Sequence, residues 1–119
     1  MPRDPDPARD PAYLFDMLTA AEAVMSFVHN RSRPDYAADL MLRSAVERQI
    51  EIIGEAARKV TAQFQSGHPE IPWAPIQAQR HRLAHEYGTI DDDLIWEVAT
   101  VHVPALIPLV RAVLPESPS

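Results

Sequence analysis

Pro11-Ala-Tyr-Leu14-Phe-Asp-Met17-Leu18-Thr-Ala-Ala21-Glu-Ala-Val24-Met25-Ser-Phe-Val28-His-Asn30 decides the fold class. Leu14, Met17, Leu18, Ala21, Val24, Met25 and Val28 recur at steps of three and four. With 3.6 residues per helical turn, that spacing stacks them into one apolar stripe. Asp10-Pro11 precedes the stripe and reads as a helix start. Aspartate accepts from free backbone N–H groups, and proline suits the first helical position. The polar loop Asn30-Arg-Ser-Arg-Pro34 closes the helix with a proline stop.

Outward from this helix the same period recurs. Residues 34–64 read as a second helix with Leu42, Ala45, Val46, Ile53, Ala56, Ala57 and Val60 on its core face and Gln49 interrupting the stripe. Ile50 and Ile52 fall off that face, the pattern of a helix buried centrally or used for association. Gly54 sits mid-helix, where glycine costs about 1 kcal/mol against alanine. It is read either as a close approach of another backbone or as a tolerated glycine. Glu55 and Lys59 form a favourable pair four apart, while Glu47, Glu51 and Glu55 repel along one edge.

Gly67, Pro69 and Pro72 mark residues 65–72 as a loop. Residues 72–87 read as a third helix ended by Gly88. Asp91 to Asp93 start a fourth, with a stripe of Leu94, Ile95, Val98, Val101, Leu106, Leu109, Val110 and Val113. Pro104 should kink that helix and Pro108 kink or break it. No segment alternates as a strand and there is no internal repeat. The expectation is an all-α antiparallel bundle of four main helices spanning 11–114, with a disordered lead at 1–10 and a tail at 115–119.

Composition bounds the function. The 119 residues suffice for one domain with a single core. There is no cysteine, so no disulfide, thiolate metal site or cysteine nucleophile is expected. The net charge of −6 argues against an extended nucleic-acid surface and leaves room only for a local basic site. No apolar run reaches the roughly 18 residues that span a bilayer, and the first residues lack the apolar core of a signal peptide. A cytoplasmic protein without membrane attachment is expected.

Arg80-His81-Arg82-Leu83-Ala84-His85-Glu86-Tyr87 is the chemically dense stretch. A solvated helix face of mixed charge, with Leu83 and Ala84 packed inward, is the plain reading. His81 and His85 share one helical face at a metal-ligand spacing. A third ligand is missing, since His68 lies in a loop and His102 on another helix. No metal or cofactor is therefore expected. The stretch has no Ser, Thr or Cys nucleophile, and the chain has no glycine-rich phosphate loop. Acid–base chemistry on an RNA phosphodiester fits the residue types better. RNA carries its own nucleophile, the 2′-hydroxyl. Cleavage then needs a group that titrates near neutrality, which His85 supplies, and a fixed cation for the phosphorane charge, which Arg80 supplies. On an ideal helix at about 100° per residue, however, Arg80 and His85 point about 140° apart. Either the helix ends near His85, or the site is a cleft between two copies. This favours a homodimer with a composite site.

Arg80-x4-His85, extended to Tyr87, resembles the Arg-x4-His-x-Tyr motif of the HepT-like toxins of the HEPN superfamily. His81 fits the polar residue that follows the motif arginine there. Three other segments resemble the same family. They are Arg43-Ser-Ala-Val-Glu-Arg-Gln-Ile-Glu-Ile-Ile-Gly-Glu-Ala-Ala57, with its Ile-Gly-Glu-Ala signature, Ile71-Pro-Trp73, and Ile90-Asp-Asp-Asp-Leu-Ile-Trp96. The resemblance implies a dimerising helical bundle and a metal-independent endoribonuclease acting as the toxin of a toxin–antitoxin pair. Arg80 and His85 would be catalytic, with His81 and Arg82 as accessory RNA contacts. The implied partner is a minimal nucleotidyltransferase that transfers AMP to Tyr87. The added bulk and negative charge, two residues from His85, would repel RNA phosphate. The alternative is a non-catalytic helical module that grips RNA, a nucleotide or the partner enzyme.

Overall fold

The computed structural model describes residues 6–78 and 91–115. Helices α1 (Asp10–Val28), α2 (Arg33–Ala38), α3 (Leu40–Lys59) and α4 (Ala62–Gly67) come first. Helix α5 (73–78) follows, then α6 (Asp92–Glu97), a π-helical turn at Val98–His102 and α7 (Val103–Val113). No strand occurs among the described residues, and the fold is an all-α helical bundle.

Helix α1 keeps the expected stripe: Leu14, Met17, Leu18, Ala21, Val24 and Val28 are buried, and Met25 packs at the edge of the core. It packs mainly on α3 and then on α7. The buried Asp10 at the start of α1 bonds Thr61, just beyond the end of α3, so the two long helices run antiparallel. Asp10 thus does not cap α1 as expected; Arg9 holds the cap position with no side-chain bond. A 3-10 turn at Pro7–Arg9, capped by Asp6, already lies inside the stretch read as a lead. Asn30 ends α1 in the left-handed region at φ 57°, a conformation its short polar side chain tolerates.

The single helix expected over 34–64 is three helices. Asp39 breaks it once, because its carboxylate accepts from the Leu42 amide and restarts the chain as α3. Thr61 breaks it again, accepting from the Phe64 amide to start α4. Pro34 is not a stop but part of the first turn of α2, behind a Ser32–Asp35 capping box. Ile50, placed off the core face by the sequence, is buried with Ile53, Val46 and Leu42. Helix α3 is central, with α1 on one side and the apolar cleft beside α6 and α7 on another, so two faces carry apolar residues. Gly54 is buried within it.

The last helix is not broken. Residues 92–113 run on through the π turn, in which the Val103 N–H reaches the Val98 carbonyl five residues back. The wide turn directly precedes Pro104, which has no N–H to give, and so relieves the clash a regular α-turn would impose there. Pro108 lies inside α7 without interrupting it. The buried positions are Ile95, Ala99, Val103, Leu106 and Val110, whereas Val101, expected in the stripe, is 55% exposed. The π turn resets the face by one residue. Asp92–Val113 is also long and apolar enough to cross a membrane by length and composition, with a mean hydropathy of 1.4 over its window, where the sequence reading found no such run. Its buried residues join the common core with α1 and α3, the position of a bundle helix.

Candidate functional site

Arg80, His81, Arg82, His85 and Tyr87 lie outside the described residues, as does the expected helix end at Gly88. The structure describes what holds the chain on either side of them.

On the entry side Ile71 is buried, and the indole of the buried Trp73 donates from Nε1 to the His68 carbonyl at 2.9 Å. Phe64 meets Trp73 edge-on with centroids 6.2 Å apart, and stacks on the His68 ring at 4.2 Å. These contacts tie the loop after α4 to the first turn of α5. The aromatic lead Ile71-Pro-Trp73 is therefore an anchor for the helix that runs toward the motif.

On the exit side Asp91 caps α6, accepting from the amides of Asp93 at 3.0 Å and Leu94 at 3.3 Å. Arg33 of α2 pairs with Asp93. Tyr36 of α2 is fully buried, and its ring lies 5.4 Å from that of Trp96 at an interplanar angle of 43°. The Tyr36 hydroxyl is a buried side-chain oxygen without a hydrogen-bond partner among the described residues. Burial, followed by the carboxylates of Glu47 and Asp92, pushes the phenol far above its usual range. Burial and then Asp92 likewise raise the Glu47 carboxyl, against the opposing charge of Arg43. This α2–α3–α6 junction is not legible in local sequence, because Arg33 and Asp93 are 60 residues apart.

A cleft of about 390 Å³ opens beside both flanks. Ile50 and Ile53 of α3, Ile76 of α5, and Leu94, Val98 and Leu106 of the last helix line it, with His102 as its titratable side chain among the described residues. These walls supply carbon surface and one imidazole. His102 lies 4.0 Å from Glu97, and His68 lies 3.4 Å from Glu70. No group of three or more metal-ligating side chains occurs among the described residues. A second groove, between α1 and α3, is lined by Tyr13, Asp16, Arg48 and Glu51. Its charges largely pair with one another, Arg48 with Glu51 at 3.4 Å and Lys59 with Glu55 at 3.8 Å.

A family model described as "Ribonuclease HepT-like" matches residues 17–113. This chain belongs to the HepT-like ribonuclease family. Its HepT-like relatives include "Putative RNase MJ1380" of Methanocaldococcus jannaschii, 35% identical over 95 residues that cover 80% of this chain and 87% of the relative. "Probable ribonuclease HepT" of Thermococcus cleftensis is 34% identical over 94 residues, 79% of this chain and 86% of the relative. "Putative RNase TTE0752" of Caldanaerobacter subterraneus subsp. tengcongensis is 33% identical over 102 residues, 86% and 91% of the two chains. No solved structure matches this HepT-like chain. The family match spans α1 to α7 and contains both anchored flanks together with the Arg80-x4-His85-x-Tyr87 motif between them.

Proposed function

We propose that this HepT-like chain is a metal-independent endoribonuclease acting as the toxin of a toxin–antitoxin pair. The observation that carries the reading is the family match over 17–113, which includes the Arg80-x4-His85-x-Tyr87 motif. In this reading the substrate 2′-hydroxyl attacks the adjacent phosphorus while His85 takes its proton. The P–O5′ bond breaks, the departing 5′-oxygen gains a proton, and the products carry a 2′,3′-cyclic phosphate and a 5′-hydroxyl. Arg80 offsets the charge that builds on the equatorial oxygens. His81 and Arg82 contact the RNA backbone. Two copies complete one cleft, because a single straight helix aims Arg80 and His85 apart. A minimal nucleotidyltransferase neutralises the toxin by moving AMP from ATP to the Tyr87 hydroxyl, releasing pyrophosphate.

The test uses the purified full chain, a 5′-labelled mixed-sequence single-stranded RNA, and DNA of the same sequence, all in EDTA. RNA should be cut to cyclic-phosphate ends and DNA left whole. His85→Ala should lower the rate by about 10²- to 10⁴-fold, the scale of a lost acid–base group. Binding without cleavage would support the non-catalytic module instead. Cleavage that survives His85→Ala undiminished would refute the site assignment.

A further inference from the structure

The last helix carries a second apolar face, turned away from the core. Its buried positions are Ile95, Ala99, Val103, Leu106 and Val110, and the opposite side presents Val101, Ala105, Pro108 and Ala112 to solvent. From 98 to 110 there is no Asp, Glu, Lys or Arg on any side. A bundle helix packed on one face ordinarily carries charge on the other, as α3 does with Arg48 and Glu51. The π turn contributes to this face, because it swings Val101 out of the core and into line with Ala105. Charge returns only at the two ends, with Glu97 before the face and Arg111 after it, about 21 Å apart at 1.5 Å per residue. Both side chains are more than half exposed.

We propose that this outer face of the last helix is the seam between two copies of the chain, packed antiparallel about a two-fold axis near Ala105. The inference rests on the two-copy reading above, which leaves open the surfaces that meet. Charge and shape select a second copy as the occupant. An isologous contact sets one patch against itself in reverse. Reversal brings Glu97 of one copy to Arg111 of the other at both ends, and lays the uncharged stretch against itself. Ala105 at the centre adds little bulk where the two backbones come nearest, and Val101 falls opposite Pro108. Burial of apolar side chains supplies the attraction, and the end charges set the register. A lipid surface fits less well. The face is bordered by Asp92, Asp93 and Glu97, which anionic headgroups repel, whereas a surface-lying helix carries Lys and Arg. The buried residues on the other side also hold this helix in the bundle.

Light scattering of the purified full chain on a sizing column, with sedimentation velocity for the dissociation constant, tests the seam. The wild type should run at twice the chain mass. Ala105→Glu sets two like charges beside the axis and should weaken the dimer about a hundredfold or more, and Val101→Glu should do the same. Both positions are exposed, so circular dichroism should show the variants folded; should either fail to fold, the charge swap decides. Glu97→Arg and Arg111→Glu should each weaken the dimer about tenfold, and the two combined in one chain should restore it. The chain has no cysteine, so Ala105→Cys should give a covalent dimer on mild oxidation while Phe15→Cys, on α1, should not. A dimeric wild type that both glutamate variants leave dimeric overturns the inference alone. A combined swap weaker than either single overturns the antiparallel arrangement. A wild type monomeric at every concentration overturns the two-copy reading and the inference with it. Sedimentation of the wild type, but not of Ala105→Glu, with phosphatidylglycerol vesicles would assign the face to a lipid surface and overturn the seam.

Discussion

Asp10 and Thr61 close the bundle at one end: the Asp10 carboxylate accepts from the Thr61 amide at 2.9 Å and from its hydroxyl at 2.7 Å, across 51 residues of sequence. Both residues are buried. Thr61 also caps α4 through the Phe64 amide at 3.2 Å. One buried acid thereby joins the start of α1, the end of α3 and the start of α4. Asp10→Ala should cost about 2–3 kcal/mol, the scale of a charge-assisted hydrogen bond lost with its buried partners left unsatisfied. Urea unfolding of the two proteins checks this, and a change below about 0.5 kcal/mol would mean that water replaces the carboxylate.

Tyr36 predicts the opposite sign. Its hydroxyl is buried and has no partner among the described residues, which costs about 1–3 kcal/mol relative to a matched apolar group. Tyr36→Phe should therefore be neutral or stabilising in thermal unfolding. A loss of more than about 1 kcal/mol would show that the hydroxyl holds an ordered water.

Glu47 sets a pH dependence. Burial and Asp92 raise its folded pKa above the ordinary 4.5. The folded state then binds this proton more tightly than the unfolded chain does. Its contribution is fully present below the unfolded pKa and is lost as pH rises through the raised folded value. Glu47→Gln should flatten the stability–pH curve in that window and raise the melting temperature at neutral pH. Melting curves between pH 4 and 8 test it; parallel curves for both proteins would exclude Glu47 as the source.

Arg80→Lys separates charge from geometry. Lysine keeps the cation but not the planar fork that spans two phosphate oxygens. The expected loss in kcat is about 10²-fold, near that of a removed transition-state donor. Equal rates for the two residues would reduce the role of Arg80 to a point charge.

Tyr87→Phe addresses regulation. On the proposed function, the wild-type chain incubated with ATP and a minimal nucleotidyltransferase should gain one or more AMP units by intact mass, with the first on Tyr87. The phenylalanine variant has no acceptor oxygen there and should gain none at that position. AMP mapped to another residue would move the regulatory site away from the motif.

Helix identity was carried by local sequence. The three- and four-residue steps of Leu14 to Val28 need only the helical period to be read, and α1 follows them. The Arg80-x4-His85-x-Tyr87 motif is read from residue type and from its resemblance to the family's motif, and it lies outside the described residues. Tertiary structure decided what depends on neighbours distant in sequence. Asp10 could cap its own helix or reach Thr61, and the antiparallel packing of α1 on α3 supplied the better partner. Ile50 is buried because α3 has other elements on two sides, which one helical stripe does not reveal. The π turn before Pro104 keeps Ile95, Ala99 and Val103 on one core face, so Val101 points outward. The pairing of Arg33 and Tyr36 with α6 exists only once 60 residues of chain have folded back. Periodicity is a property of consecutive residues; which polar group meets which, and how many sides of a helix are covered, is settled only by the packing of the whole chain.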